Sequence, residues 1–369
     1  MIVPAGGRNG SSGTGALGGA TAFAAGGTPG RLRNNSVTFD EVGVVHLAAT
    51  VADDDYLGGG AVASTASGNI GRFYPTQLAL NAGSTVTAAC NAFTYMDQAQ
   101  LGVGYTIEAR NAAGNRTRNY DAALLGAGAV ATLNAAAENN DSGADLGARL
   151  GGIVGNWVQG AVAVSTGTAS FARATAVDGP FDALVIGIRA VDPLSDVTLA
   201  APTMNASTSG DCIAAANCNA VKLGSSTQIR YGRSMLKPAF GPETQNLGMT
   251  IEAQFYDGSL FAPNTLDNCT TYAMNQATLS NYSGNLNVGE TSLTAPAAAT
   301  ALVSGDSDPA EPLLLSAPGL GNDGAVDVKL DVPSYLEFDW FGTGATDPVG
   351  EARFGRYRGN DRIVLWREL

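Results

Sequence analysis

Few side chains in this sequence can do acid–base or covalent chemistry, and the first of them is unique. His46 is the one histidine among 369 residues, so a centre built from two or three imidazoles cannot form within one chain. Val45, Leu47, Ala49 and Val51 alternate with it. That pattern puts His46 on the opposite face of a strand, exposed or half-exposed. No serine stands in a G-x-S-x-G elbow, and neither a P-loop nor an H-E-x-x-H pair occurs. The sequence assigns no catalytic residue and no cofactor, and it reads as a non-enzyme.

The four cysteines are Cys90, Cys212, Cys218 and Cys269. Cys212 and Cys218 are spaced C-x5-C in a polar, Asn-rich loop, where a zinc site would need two more ligands nearby. A small-loop disulfide is the expectation there. Cys90 and Cys269 would then pair by exclusion, although four cysteines allow three connectivities. An even count in an acidic chain rich in Asn, Thr and Gly points to an oxidising, extracytoplasmic location.

Two further groups could hold ligands. Asp53-Asp54-Asp55, Asn139-Asn140-Asp141 with Asp145, and Asp306-Ser307-Asp308 are oxygen-rich loops, but none has the spacing of an EF-hand. They read as solvated turns, and no metal is expected. Trp157, Tyr231, Tyr256, Trp340 and Tyr357 could stack on sugar rings, with Asp339 and Glu337 as neighbouring carboxylates. The competing role for such rings is to anchor the core of a β-sandwich.

The composition favours strands over helices. Charged residues make up 14% of the chain, against about 25% in an average protein, and 48 glycines stand in their place. A helix-rich protein needs more Glu, Lys and Arg on its wet faces. With 20 basic and 33 acidic residues the net charge is −13, which repels nucleic acid and anionic lipid. The uncharged run between Arg8 and Arg31 holds only Leu17 and Phe23 as large apolar residues, too few for a membrane span or a signal-peptide core. A secreted protein would have its signal removed or encoded upstream.

Length and pattern suggest three consecutive units, at 1–72, 73–192 and 193–369. VTFDEVGVVHLAATV (residues 37–51) reads as a strand pair turning near Asp40-Glu41. Leu101 to Arg110 alternates over ten residues, and Ala161–Ser165, Ala183–Val191, Met249–Tyr256 and Val326–Val332 read as further half-buried strands. Only Leu133 to Leu150 is compatible with a short helix, and a loop insertion fits it equally well. The motif TIEA recurs at 106 and 250, as two related modules would show. The expected fold is all-β: tandem immunoglobulin-like antiparallel β-sandwiches with few or no helices. Arg353, Arg356, Arg358, Arg362 and Arg367 crowd the end of the chain, where residues 354 to 369 read as a hairpin completing the last sandwich.

Several blocks carry a resemblance. FDEVGVVHLAATVADDDYLG, GRFYPTQL, CNAFTYMDQ with YTIEARNAAG, IRYGRSMLKPAFGPETQNLGMTIEAQFYDG, FAPNTLDNCTTY and ARFGRYRGNDRIVLWREL resemble MshQ-type proteins. These are encoded with the mannose-sensitive haemagglutinin type IV pilus of Gram-negative bacteria, and their C-terminal region is a domain of unknown function. The resemblance implies a structural or adhesive role outside the cell or at its surface. Pilus or cell-envelope proteins would be the partners, with surface glycans and self-association as further contacts. It implies no catalytic residues. The rival reading is a carbohydrate-binding module or an accessory domain of a glycoside-active enzyme.

Overall fold

The structure is a computed structural model that describes residues 2–3, 15–19, 24–48, 55, 58–62 and 65–356. Among them, helix is confined to Ala122–Leu125 and four 3-10 turns. The rest of the regular structure is strand, as the charge-poor, glycine-rich composition requires.

Nine strands form a first repeat, eight of them β1 (Gln77–Leu80), β2 (Phe93–Tyr95), β3 (Leu101–Arg110), β4 (Thr132–Asn139), β5 (Leu150–Gly151), β6 (Ala161–Phe171), β7 (Phe181–Val191) and β8 (Val221–Arg230), and the ninth the short Thr85–Thr87, which pairs with β3 off the main strand order. They make two sheets, ordered β1-β3-β6-β5 and β2-β8-β7-β4. A second repeat follows: β9 (Gly232–Leu236), β10 (Ala239–Pro242), β11 (Leu247–Met249), β12 (Ile251–Tyr256), β13 (Phe261–Pro263), β14 (Ala277–Gly284), β15 (Leu293–Ala295), β16 (Leu313–Leu315), β17 (Gly324–Leu330) and β18 (Val349–Gly355). Here β10-β18-β17-β14 reproduces the order of the second sheet. Only Thr250 separates β11 from β12, so β9-β12 and β11-β16-β15 reproduce the first sheet in two pieces.

These orders are those of an immunoglobulin-like sandwich, A-B-E-D against G-F-C. The opening strand of each repeat also supplies a second piece to the other sheet. That piece pairs in parallel, β2 with β8 and β10 with β18, so the sheets are not wholly antiparallel.

The backbone repeats as closely as the topology. In the first repeat the Ala109 amide donates to Gly160 O at 2.9 Å, and the Thr117 amide donates to Ala109 O at 2.8 Å. In the second, the Ala253 amide donates to Gly305 O at 2.7 Å, and the Asn264 amide donates to Ala253 O at 2.8 Å. Ala109 and Ala253 are the last residues of the two TIEA motifs. Both glycines have positive φ, and a Cβ on either would lie 2.1 Å from Thr117 O or 2.5 Å from Asn264 O. The motif echo thus marks a shared backbone design.

Alternation positions the core. Leu101, Val103, Tyr105, Ile107 and Ala109 are all buried on one face of β3, as are Leu184, Ile186 and Ile188 on β7. Contacts divide the chain into two compact units. One comprises Met1–Thr87, Leu101–Ala169 and Ala183–Ser226, and the other Ala88–Gln100, Ser170–Asp182 and Thr227–Leu369. The three consecutive units read from the sequence are a different division. A sandwich closes by pairing strands distant in sequence, so Cys90, Phe93 and Tyr95 join the same core as Leu236, Ile251, Val326 and Phe354.

Two local expectations change. Residues 133–150 open with the edge strand β4, not a helix; Leu133, Ala136 and Ala137 are buried along it. The alanines hide the alternation because they read as helix formers. Thr38–Phe39 and Gly43–Val45 are strands but do not pair with each other. The first pairs with Leu17–Gly18 and the second with Ile70–Phe73. The Glu41 carboxylate, between them, accepts the amides of Arg118 and Asn119 at 2.7 and 3.0 Å, which commits the turn to another loop. The expected C-terminal hairpin lies, beyond Arg356, outside the described residues.

Candidate ligand-binding face

The sequence-singled residues separate sharply. His46 is half-buried, with Nδ1 2.8 Å from Ser67 O. Trp157 is 2% exposed in the first unit. Its Nε1 donates to Ala131 O at 2.8 Å, and its ring meets Tyr120 edge-on at 4.8 Å. It is a core anchor. Beside it lies a cavity of about 190 Å³ with Val130, Leu133, Val154 and Asn156 in its wall. No charged side chain lines that cavity. Tyr357 lies outside the described residues.

Tyr231, Tyr256 and Trp340 come together in the second unit, around two rings the sequence reading missed. The ring of Phe261 stands 5.7 Å from Tyr256, 6.1 Å from Tyr231 and 5.0 Å from Phe338, which is 5.2 Å from Trp340. Sheet register builds part of this cluster. Tyr256 on β12 pairs directly with Phe261 on β13, and direct partners in an antiparallel pair share a face. Phe338 and Trp340 alternate around Asp339, so FDW was the available signal. It was read for its Trp and Asp only.

Arg233 on β9 occupies the centre. Its guanidinium lies 3.9 Å from the Phe261 ring, 4.5 Å from Trp340 and 5.0 Å from Phe338, all within cation–π range. Its Nε donates to Gln254 Oε1 at 2.7 Å. Burial depresses its pKa, although the charge of Glu252 opposes that. Gln254 and Glu252 point to the same side of β12 and are themselves buried. Alternation alone would leave both in solvent. The Glu252 carboxylate is taken by Gln254 Nε2 and by Lys237 Nζ, each at 2.5 Å. The five rings are partly exposed, and Leu260 and Phe341, the sequence neighbours of Phe261 and Trp340, are 58% and 86% exposed.

A second arginine-bearing network in this unit is structural. Tyr95 O–H donates to Asp267 at 2.9 Å and accepts from Asn264 Nδ2 at 2.7 Å, and Arg230 donates to Asn264 Oδ1. Tyr95, Asn264 and Asp267 are all at most 1% exposed. Burial, reinforced by the charge of Asp267, pushes the Tyr95 phenol well above its ordinary pKa. Asp267 also caps the following turn through the amides of Cys269 and Thr270.

Both disulfides are formed: Cys90–Cys269 and Cys212–Cys218. Among the described residues, no group of three or more His, Cys, Asp or Glu side chains is placed to hold a metal ion. Asp53 and Asp54 lie outside the described residues, and the described carboxylates of the oxygen-rich loops are spent on the protein. Asp55 accepts the amides of Gly58 and Gly60, Asp145 pairs with Arg189, and Asp306 pairs with Lys237. At Asp339, burial raises the carboxyl's pKa, but amide hydrogen bonds from Gly344, Thr343, Gly342 and Phe341 outweigh it and hold the group below its usual range.

The arrangement defines a class: a tandem immunoglobulin-like protein whose second repeat presents a ring-and-arginine surface. Residues 41–219 match the family described as DUF6701, third domain, and residues 230–369 match DUF6701, fourth domain. The chain belongs to the DUF6701 family, whose domains are uncharacterised. It matches no curated protein and no solved structure. No helix among the described residues is long and apolar enough to cross a membrane.

Proposed function

We propose that this protein is a non-enzymatic structural or adhesive component acting outside the cytoplasm, of the MshQ type and associated with an MSHA-like type IV pilus. The observation that carries this reading is the repeated, disulfide-bonded sandwich. Immunoglobulin-like modules present loops and sheet faces, and their cross-links persist where the surroundings are oxidising. The blocks that resemble MshQ-type proteins support the pilus association. Asp339, the carboxylate beside Trp340, is held in its ionised form, whereas the general acid of a glycosidase needs a raised pKa. The general-acid role is therefore not one that Asp339 suits. The partners are then pilus or envelope proteins, and the site of action is the cell surface.

Immunogold labelling of whole cells and sheared pili tests this. Label on pili or at their base is the expected result. Label confined to the cytoplasm, with both disulfides reduced in the cellular protein, rules the proposal out.

A further inference from the structure

Among the described residues Arg233 has no ion-pair partner, in a protein where acidic residues outnumber basic ones by 33 to 20. Its one hydrogen bond among them uses Nε, to the neutral Gln254. Among the described residues, no carboxylate lies within ion-pair distance of it, and Nη1 and Nη2 donate to nothing in the protein. Neither η nitrogen is among the buried atoms that lack a partner, so both remain open to a ligand. The nearest acid in the register, Glu252, is engaged by Lys237 and Gln254. Trp340 Nε1 also lacks an acceptor.

A partly buried guanidinium with two free parallel donors is a fork for a planar oxyanion. The rings around it supply flat apolar faces, and Phe341, the residue after Trp340, is 86% exposed. We propose that this face of the second unit binds an acidic saccharide, its carboxylate bridging Nη1 and Nη2 of Arg233 and its C–H face lying on the aromatic surface at Trp340 and Phe341. A neutral sugar would leave the guanidinium unpaired. An acidic peptide would satisfy the charge but offers no rigid C–H face. The net charge of −13 disfavours nucleic acid. The inference goes beyond the pilus association and does not depend on it, because binding in vitro and location on the cell fail separately.

The test is calorimetric titration of the full chain with tri-galacturonate, with uncharged galactotriose and with an oligoaspartate. Saturable binding of tri-galacturonate is expected, with the neutral trisaccharide at least about tenfold weaker, since the charge-assisted fork is lost. Arg233→Gln should weaken binding by about tenfold or more, and Arg233→Lys should also weaken it because a point charge cannot replace the fork. Phe341→Ala guards against a folding artefact, because a side chain 86% exposed can be removed without opening the core. It should weaken binding several-fold with no change in melting temperature. Three results would overturn the proposal: no saturable binding of tri-galacturonate, equal binding of galactotriose or oligoaspartate, or undiminished affinity in both Arg233→Lys and Phe341→Ala.

Discussion

Gly160 and Gly305 carry the same local duty in the two repeats, and each accepts the amide of a TIEA alanine. Their φ values of +77° and +88° lie in the left-handed region, and neighbouring carbonyls occupy the space a Cβ would need. Gly160→Ala should therefore cost about 2 kcal/mol or more by combining backbone strain with a steric clash. Urea unfolding of the variant checks this, and an unchanged midpoint would refute it. Tyr105 gives a pH signature. It is buried, and its O–H donates to Ile153 O at 2.6 Å. Burial pushes its pKa up to about 12, above the unfolded value near 10. The folded state therefore holds the proton longer, and the stability this group contributes is intact below pH 10 and lost between about pH 10 and 12. Tyr105→Phe should flatten part of that alkaline decline in melting temperature.

At the scale of elements, the two disulfides have unequal reach. Cys212–Cys218 closes a separation of 6 residues and Cys90–Cys269 one of 179. In the chain-entropy account these correspond to about 2 and about 5 kcal/mol. The Cys212→Ala/Cys218→Ala variant should thus unfold at a modestly lower denaturant concentration, and Cys90→Ala/Cys269→Ala at a much lower one. Equal effects would show that loop closure is not what the longer bridge contributes. The edge strand β10 is managed differently. Pro238 and Pro242 bracket it, and Phe240 on it is 72% exposed. Proline supplies no ladder donor, which discourages another chain from adding to this edge.

For the molecule as a whole, the span of a family match and the span of a compact unit are not the same thing. Residues 230–369 match one domain, yet the core built around them includes Cys90, Phe93 and Tyr95, and Arg173 reaches the carbonyls of Gly232, Tyr335 and Glu337. A fragment of residues 230–369 should accordingly expose apolar surface, carry a free thiol at Cys269 and melt well below the full chain. Dye binding and thiol titration measure both properties. If the fragment melts like the full chain, residues 88–100 and 170–182 add little to this core.

Much of the fold was legible in the sequence because a strand with one wet face must alternate. β3, β7 and β17 showed that pattern, the charge-poor composition argued against helices, and the TIEA echo announced a repeat. The C-x5-C spacing suggested the short disulfide on local grounds. Other features were not legible because they depend on residues distant in the chain. The alternation of β4 is masked by alanines, and only the packing of Leu133, Ala136 and Ala137 reveals it as a strand. Segment 88–100 precedes β3 in sequence, but its strand pairing and its disulfide lie with residues beyond 227, which no local pattern encodes. The candidate face divided in the same way. Tyr231, Tyr256 and Trp340 were visible as aromatic residues and Trp157 looked equivalent to them, until burial separated the core anchor from the surface rings. Arg233 gave no signal, since an arginine on a strand usually finds a carboxylate. Only the tertiary structure, by giving Glu252 to Lys237 and Gln254, left this guanidinium without one among the described residues.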